Sequence, residues 1–167
     1  EVTQIMKLFN TKWVMDVFVP PEWTGIRGKP IDIEFTPDLP SSLKPEARPV
    51  NPRLLETANN EFLRLCRYML VRSTSNYASP IVIASKDQPP YIRIVGDYRV
   101  INQYMINGHV PIPNVRYQVE RIAGFRYFTE FDLTNAYHQF LLSLATSLKL
   151  SIQTSWGEFR PLYMPEG

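Results

Sequence analysis

Four side chains in this sequence combine a chemically useful type with a useful position. Asp132 closes an alternating, β-rich run, Tyr127 to Asp132. A carboxylate at a strand end is held rigidly with its oxygens toward a cleft, the placement that a hard divalent cation requires. Arg93 lies in a second β-rich run, Tyr91 to Val95, and its planar guanidinium suits both a phosphate and the face of an aromatic ring. Lys86, in Ser85-Lys86-Asp87, stands just before the turn that precedes that run, and Tyr137 follows Asp132 by five positions. Each also has a plainer reading. An aspartate at a strand end often forms a turn or caps a helix, an arginine on a strand is usually solvated, and a tyrosine in a chain with nine of them usually packs a core. Residue type and spacing alone leave both readings open.

The elements that must position these residues follow from pattern. Between residues 20 and 53 stand eight prolines, each biasing its predecessor toward extended geometry. This stretch reads as an extended arm on the surface, with Ile31 to Phe35 as a short strand of period two. Asn51-Pro52 is a helix start, since Asn caps free amides and Pro suits the first turn. Leu54, Leu55, Ala58, Phe62, Leu65, Cys66, Met69 and Leu70 then recur at spacings of three and four, predicting one amphipathic helix with Arg64 and Arg67 off the stripe. Pro80 to Ala84 and Tyr91 to Val95 read as an antiparallel hairpin around Gln88-Pro89-Pro90. Pro111 to Ala123 carries helical spacing and stops before Gly124. Tyr127 to Asp132 reads as a strand, and Leu148 to Thr154 with Phe159 to Tyr163 as a second hairpin about Trp156-Gly157. Trp13 to Phe18 is compatible with a strand or a short helix. The mixture is α+β, without the regular alternation of a βαβ chain.

Composition limits the function classes. The 167 residues are 44% hydrophobic and 20% charged, the profile of a folded domain. A net charge of +2 permits a nucleic-acid partner without demanding one. A single cysteine, Cys66, excludes an internal disulfide and a Cys-rich zinc site, fits a reducing compartment, and reads as buried filler. There is no apolar run near the ~20 residues that span a bilayer, and the sequence starts at Glu1 without a leader. The expectation is an intracellular piece of a longer protein, cytoplasmic or nuclear-associated.

Asn76-Tyr77-Ala78-Ser79-Pro80-Ile81-Val82 and Arg93-Ile94-Val95-Gly96-Asp97-Tyr98-Arg99-Val100-Ile101-Asn102 are followed by Val110-Pro111-Ile112-Pro113, by Tyr127-Phe128-Thr129-Glu130-Phe131-Asp132-Leu133 and by Ala136-Tyr137-His138-Gln139. In order and spacing these blocks resemble the reverse transcriptases of gypsy-type LTR retrotransposons and retroviruses. The resemblance runs from about Pro49 to Gly167 and implies an α+β right-hand polymerase fold. Residues 1–48 would be an upstream spacer and proline-rich arm, 49–123 the fingers, and 124–167 an incomplete palm that stops before the Tyr-x-Asp-Asp turn.

The resemblance also implies roles. Asp132 is similar to the first metal-binding carboxylate of the polymerase, with the Leu133 carbonyl assisting, in a centre that takes two Mg²⁺ or Mn²⁺ ions. Tyr137 matches the aromatic gate that excludes a ribose 2′-hydroxyl, and Asn135 and Ala136 lie where backbone amides meet the triphosphate. Arg93 matches the fingers arginine that stacks on the incoming base and contacts the α-phosphate, and Lys86 the lysine that meets the γ-phosphate. Asp97 and Arg99 are expected to organise the fingers through an internal ion pair or hydrogen bonds, and Glu130 to be a surface or structural charge. Arg116, Arg121 and Arg126 read as solvated surface. Glu166 departs from the family, which has an aromatic in Met-Pro-Phe-Gly.

The implied parent is an RNA-directed DNA polymerase of a retroelement Pol polyprotein. Its implied partners are a primed RNA or DNA template, a deoxynucleotide, and the remaining palm, thumb, connection and ribonuclease H regions. With one of three carboxylates, the 167-residue chain is expected to be inactive alone. The alternative is a degenerate or domesticated retroelement fragment that serves as a nucleic-acid-binding or interaction module.

Overall fold

The computed structural model describes residues 28–87, 89, 91–106, 108, 111, 113–130, 132–133 and 135–167. Trp13 to Phe18 therefore lies outside the described residues, as do Gln88 and Pro90 of the hairpin turn and Phe131. Mixed α+β architecture is found, around a five-stranded mixed sheet. Its strands are β1 (Leu70–Arg72), β2 (Ser79–Ser85), β3 (Ile92–Gly96), β4 (Ile152–Thr154) and β5 (Gly157–Pro161), in the spatial order β1-β5-β4-β2-β3.

The strand β2 joins two antiparallel blocks. Its first residues pair in parallel with β4, Ser79 opposite Ile152 and Pro80 opposite Gln153. From Ile81 onward it pairs antiparallel with β3, in register from Ile81 opposite Gly96 to Ser85 opposite Ile92. Pro80, which has no N–H to donate, sits at the changeover, and its carbonyl accepts from the Asp97 amide at 2.7 Å. Burial along β2 changes accordingly, from buried at Ser79 to Ile81 to exposed at Ala84 and Ser85, so the hairpin projects beyond the core.

The helix α1 (Leu55–Cys66) follows the predicted stripe after a 3₁₀ turn at Pro52–Leu54 but stops short of its last members, since Met69 lies in a turn and Leu70 opens β1. The Asn51 side chain accepts from the Arg53 amide at 3.0 Å, which satisfies one of the free donors of that start. Phe62 and Leu65 face inward. The Phe62 ring stacks on Trp156, 4.5 Å between centroids, and meets Phe159 edge-on at 4.9 Å, so the helix is fixed to the β4–β5 hairpin by aromatic contacts. Ile81, Tyr98, Ile101, Leu142 and Leu150 complete the same core. Cys66 is half-buried at its edge.

Two glycine-dependent features follow. A Cβ on Gly96 would stand 2.5 Å from the Tyr98 ring, which folds beneath the strand and donates its hydroxyl to the Leu150 carbonyl at 3.0 Å. Gly157 turns the β4–β5 hairpin at φ 120°.

Several expectations are corrected. Ile31 to Phe35 forms no strand, only isolated bridges from Ile31 to Leu142 and from Phe35 to Met105. The arm is also more than surface: Ile31, Ile33, Phe35, Leu39 and Leu43 pack against the core. The Ile33 amide reaches the Thr146 hydroxyl at 2.9 Å, because the pleat alternates its apolar residues inward even without a neighbouring strand. Leu148 and Lys149 end a short helix, α3 (Leu144–Lys149), so the predicted strand is reduced to β4, and its partner is Gly157–Pro161 rather than Phe159 to Tyr163. The helix α2 (Val115–Ile122) falls within the predicted range and is capped by the Asn114 side chain. Tyr127 to Asp132 is not a strand at any described position, and its described residues are exposed, Tyr127 at 89%. Alternation favours a pleated, half-buried surface, but a strand needs a hydrogen-bonded neighbour, and none of the five strands pairs there.

Candidate functional site

Asp97 opens the site because it fixes the end of the hairpin. Its carboxylate, with a side chain 8% exposed, accepts two bonds from Arg99 at 2.7 Å each and a third from Arg48 at 2.7 Å. The Arg99 guanidinium holds this carboxyl well below the usual carboxylate range, with Arg48 adding to the effect. The expected pairing of Asp97 with Arg99 is therefore present, just past the end of β3.

One face of β3 meets α1 across a cleft of about 80 Å³. Lys86 and Arg93 line it from the hairpin, Glu61 and Arg64 from the helix, and Asn135, His138 and Glu166 from the opposite side. The Lys86 amide donates to the Tyr91 carbonyl at 2.8 Å, so the lysine sits at the base of the turn. Tyr91 adopts a left-handed backbone, φ 64°, and so does Asn135, φ 47°. Asn is among the residues that tolerate this conformation.

Charge in the cleft is largely matched. Arg64 makes two bonds of 2.7 Å to Glu61, a carboxylate only 6% exposed, and this pairing raises the arginine further above its usual value. Arg93 Nη1 donates to Glu166 Oε2 at 2.7 Å. Among the described residues, Lys86 is the cleft cation without an ion pair. His138 is half-buried, and its Nδ1 has no hydrogen-bond partner among the described residues. Burial pushes this imidazole down, Glu166 opposes the shift, and Arg64 and Arg93 reinforce it.

Three of the seven sequence-predicted site residues thus come together: Lys86, Arg93 and Asn135 line one cleft. The other four lie outside that lining. Ala136 is half-buried and precedes a 3₁₀ turn at Tyr137–Gln139. Tyr137 and Leu133 are exposed, at 61% and 67%, and Asp132 is exposed as well. Among the described residues no group of three or more His, Cys, Asp or Glu could hold a metal ion. Divalent magnesium takes about six oxygen donors. Asp132 and the Leu133 carbonyl are hard oxygen donors of the kind such an ion takes.

Sequence reasoning missed the pairing of Glu166 with Arg93, which are 73 positions apart. It also missed the buried Glu61, for which the signal was an arginine three residues on, one helical turn away.

The fold and cleft define a mixed α+β segment with cationic side chains projecting from a β-hairpin. No protein-family model matches the chain. Over 143 residues, 85% of the chain, it is 27% identical to the Tf2-3 and Tf2-4 transposon polyproteins of Schizosaccharomyces pombe, and it spans 11% of their length. Its fold is similar to that of the prototype foamy virus protease-reverse transcriptase, with a TM-score of 0.80 over 99% of this chain and 22% of that one, at 18% identity. A foamy viral protease-reverse transcriptase in complex with an RNA/DNA hybrid gives 0.74 at 16% identity, over 99% of this chain and 22% of that one. The resemblance to retroelement reverse transcriptases, carried in the sequence by the blocks from Asn76 to Gln139, therefore stands. Among the described residues, no helix is long and apolar enough to cross a membrane.

Proposed function

We propose that this chain is the fingers and the first part of the palm of an RNA-directed DNA polymerase within a retroelement polyprotein. The observation that carries this reading is the convergence of Lys86, Arg93 and Asn135 on one cleft beside the projecting hairpin. An ammonium and a planar guanidinium on a rigid β-ribbon are what a triphosphate and its base require: the lysine as a point charge, the arginine as a fork and a stacking plane. A primed nucleic-acid template is the expected partner. Support for it comes from the foamy viral neighbours, which are described in complex with an RNA/DNA hybrid and with double-stranded DNA.

In this reading the chain's own residues bind and orient. Lys86 and Arg93 hold the phosphates and base of the incoming deoxynucleotide, the amides near Asn135 and Ala136 receive the triphosphate, and the Tyr137 ring excludes a 2′-hydroxyl by clash. Asp132, with Leu133, is one ligand set of a centre whose Mg²⁺ or Mn²⁺ ions activate the primer hydroxyl and stabilise the leaving pyrophosphate when bound. With a single carboxylate in the assigned set, the chain alone is not expected to polymerise.

The test uses a parent polypeptide that carries the whole palm, with single-nucleotide addition to a primed template as readout. Losing a charge-assisted contact costs about 1.5–3 kcal/mol, so Arg93→Ala and Lys86→Ala are expected to raise the KM for deoxynucleotide by on the order of 10- to 100-fold. An unchanged KM in both variants would remove the cleft from the nucleotide site.

A further inference from the structure

The Glu166 carboxylate holds Arg93 at 2.7 Å. The backbone on both sides of the contact is held in place. The segment that bears Glu166 is tied on both sides of it: the Met164 amide donates to the Phe140 carbonyl at 2.8 Å, and the Asn102 side chain donates to the Gly167 carbonyl at 2.8 Å. Arg93 is fixed in turn by the β2–β3 ladder, opposite Ala84.

Size and charge give the pair its consequence. A cleft of about 80 Å³ is small beside ligand pockets, which usually run to roughly 300 Å³ or more. The Arg93–Glu166 pair spans this cleft. Three cations and two carboxylates line it, so one positive charge is left uncompensated. A polyphosphate must therefore take Arg93 away from a carboxylate already in place and then tolerate that carboxylate as a like charge.

We infer that Glu166 is an internal competitor for the phosphate-binding arginine, a gate that a nucleoside triphosphate opens by displacing the carboxylate from Arg93. The inference rests on the nucleotide reading of the cleft. Arg93 and Glu166 are about half and one-third exposed, with side chains at 48% and 29%. The competition is accordingly moderate and weakens as salt rises.

Calorimetric titration of the parent polypeptide with its complete palm, using a deoxynucleoside triphosphate and separately inorganic tripolyphosphate, tests it. Glu166→Gln keeps the side chain's size and removes its charge, and is expected to tighten both ligands about three- to tenfold. Arg93→Ala should weaken both, and in that background the effect of Glu166→Gln should vanish, because two residues acting through one contact are not additive. Arg93→Lys, checked for native circular dichroism, serves as a second variant should Arg93→Ala fail to fold, and should show a reduced Glu166→Gln effect.

The outcomes separate the two claims. If Arg93→Ala weakens binding but Glu166→Gln changes nothing, the nucleotide reading stands and the gate is wrong. If Glu166→Gln tightens binding equally with and without Arg93, the carboxylate acts by general repulsion and the gate is again wrong. If no variant binds either ligand, both claims fall.

Discussion

Asp97 is the residue at which local chemistry has the clearest consequence for the whole hairpin. Its folded carboxyl lies far below its ordinary value of about 4 because Arg99 and Arg48 hold the anion. The folded state therefore binds this proton less readily than the unfolded chain does. The contribution is complete above about pH 4 and is lost as pH falls toward and below about 2. Both arginines are substantially exposed, so the effect is modest. Asp97→Asn should lower the urea midpoint at pH 7 by on the order of a few tenths of a molar, and the gap from the unmodified chain should close between about pH 4 and pH 2. A gap that stays constant over that range would show that the pair adds nothing pH-dependent. This pairing was legible in the sequence, since residues two apart on a tight turn share a neighbourhood. The bond from Arg93 to Glu166 was not, because no local pattern joins positions 73 apart.

Elements were legible in proportion to their length and to how far they stabilise themselves. The helix α1 is the clear case: twelve residues give three turns of apolar repetition, and the Asn51-Pro52 start marks its entry. Its hold on the sheet runs through Phe62, 3% exposed between Trp156 and Phe159. Phe62→Ala is expected to destabilise the fold by about 3–5 kcal/mol by leaving a cavity, whereas Leu63→Ala, at a position 52% exposed, should stay within about 0.5 kcal/mol. Chemical denaturation of the two variants checks this, and equal effects would mean that the helix is not anchored through that ring. Short or partner-dependent elements were illegible. The six residues of α3 give no period to read, although the Ser143 hydroxyl, which accepts from the Thr146 amide at 3.2 Å, was a usable start signal. Tyr127 to Asp132 has the alternation of a strand and, among its described residues, no strand to pair with.

At the scale of the whole molecule, one core unites segments that the sequence separates into an arm, a helix-and-hairpin unit and a C-terminal part. Ile31 and Phe35 from the arm, Phe62 from α1, Ile81 from β2 and Phe159 from β5 pack together. The mixed α+β class was legible because each long element announces itself. The parallel junction of β2 with β4 was not, since 73 positions separate Ser79 from Ile152 and Pro80 hides the pairing. The site divides in the same manner: Lys86, Arg93 and Asn135 meet in the cleft, while Asp132 and Tyr137 are exposed outside it. On the proposed function, these two groups serve one polymerisation reaction in the parent protein. Its most direct test is deoxynucleotide addition to a primed RNA template by the parent polypeptide with its complete palm, compared with the same protein carrying Asp132→Asn. The expected result is a loss of at least about 1,000-fold, because removing one charged ligand from a metal centre forfeits several kcal/mol of transition-state stabilisation. Equal rates in the two proteins would contradict it.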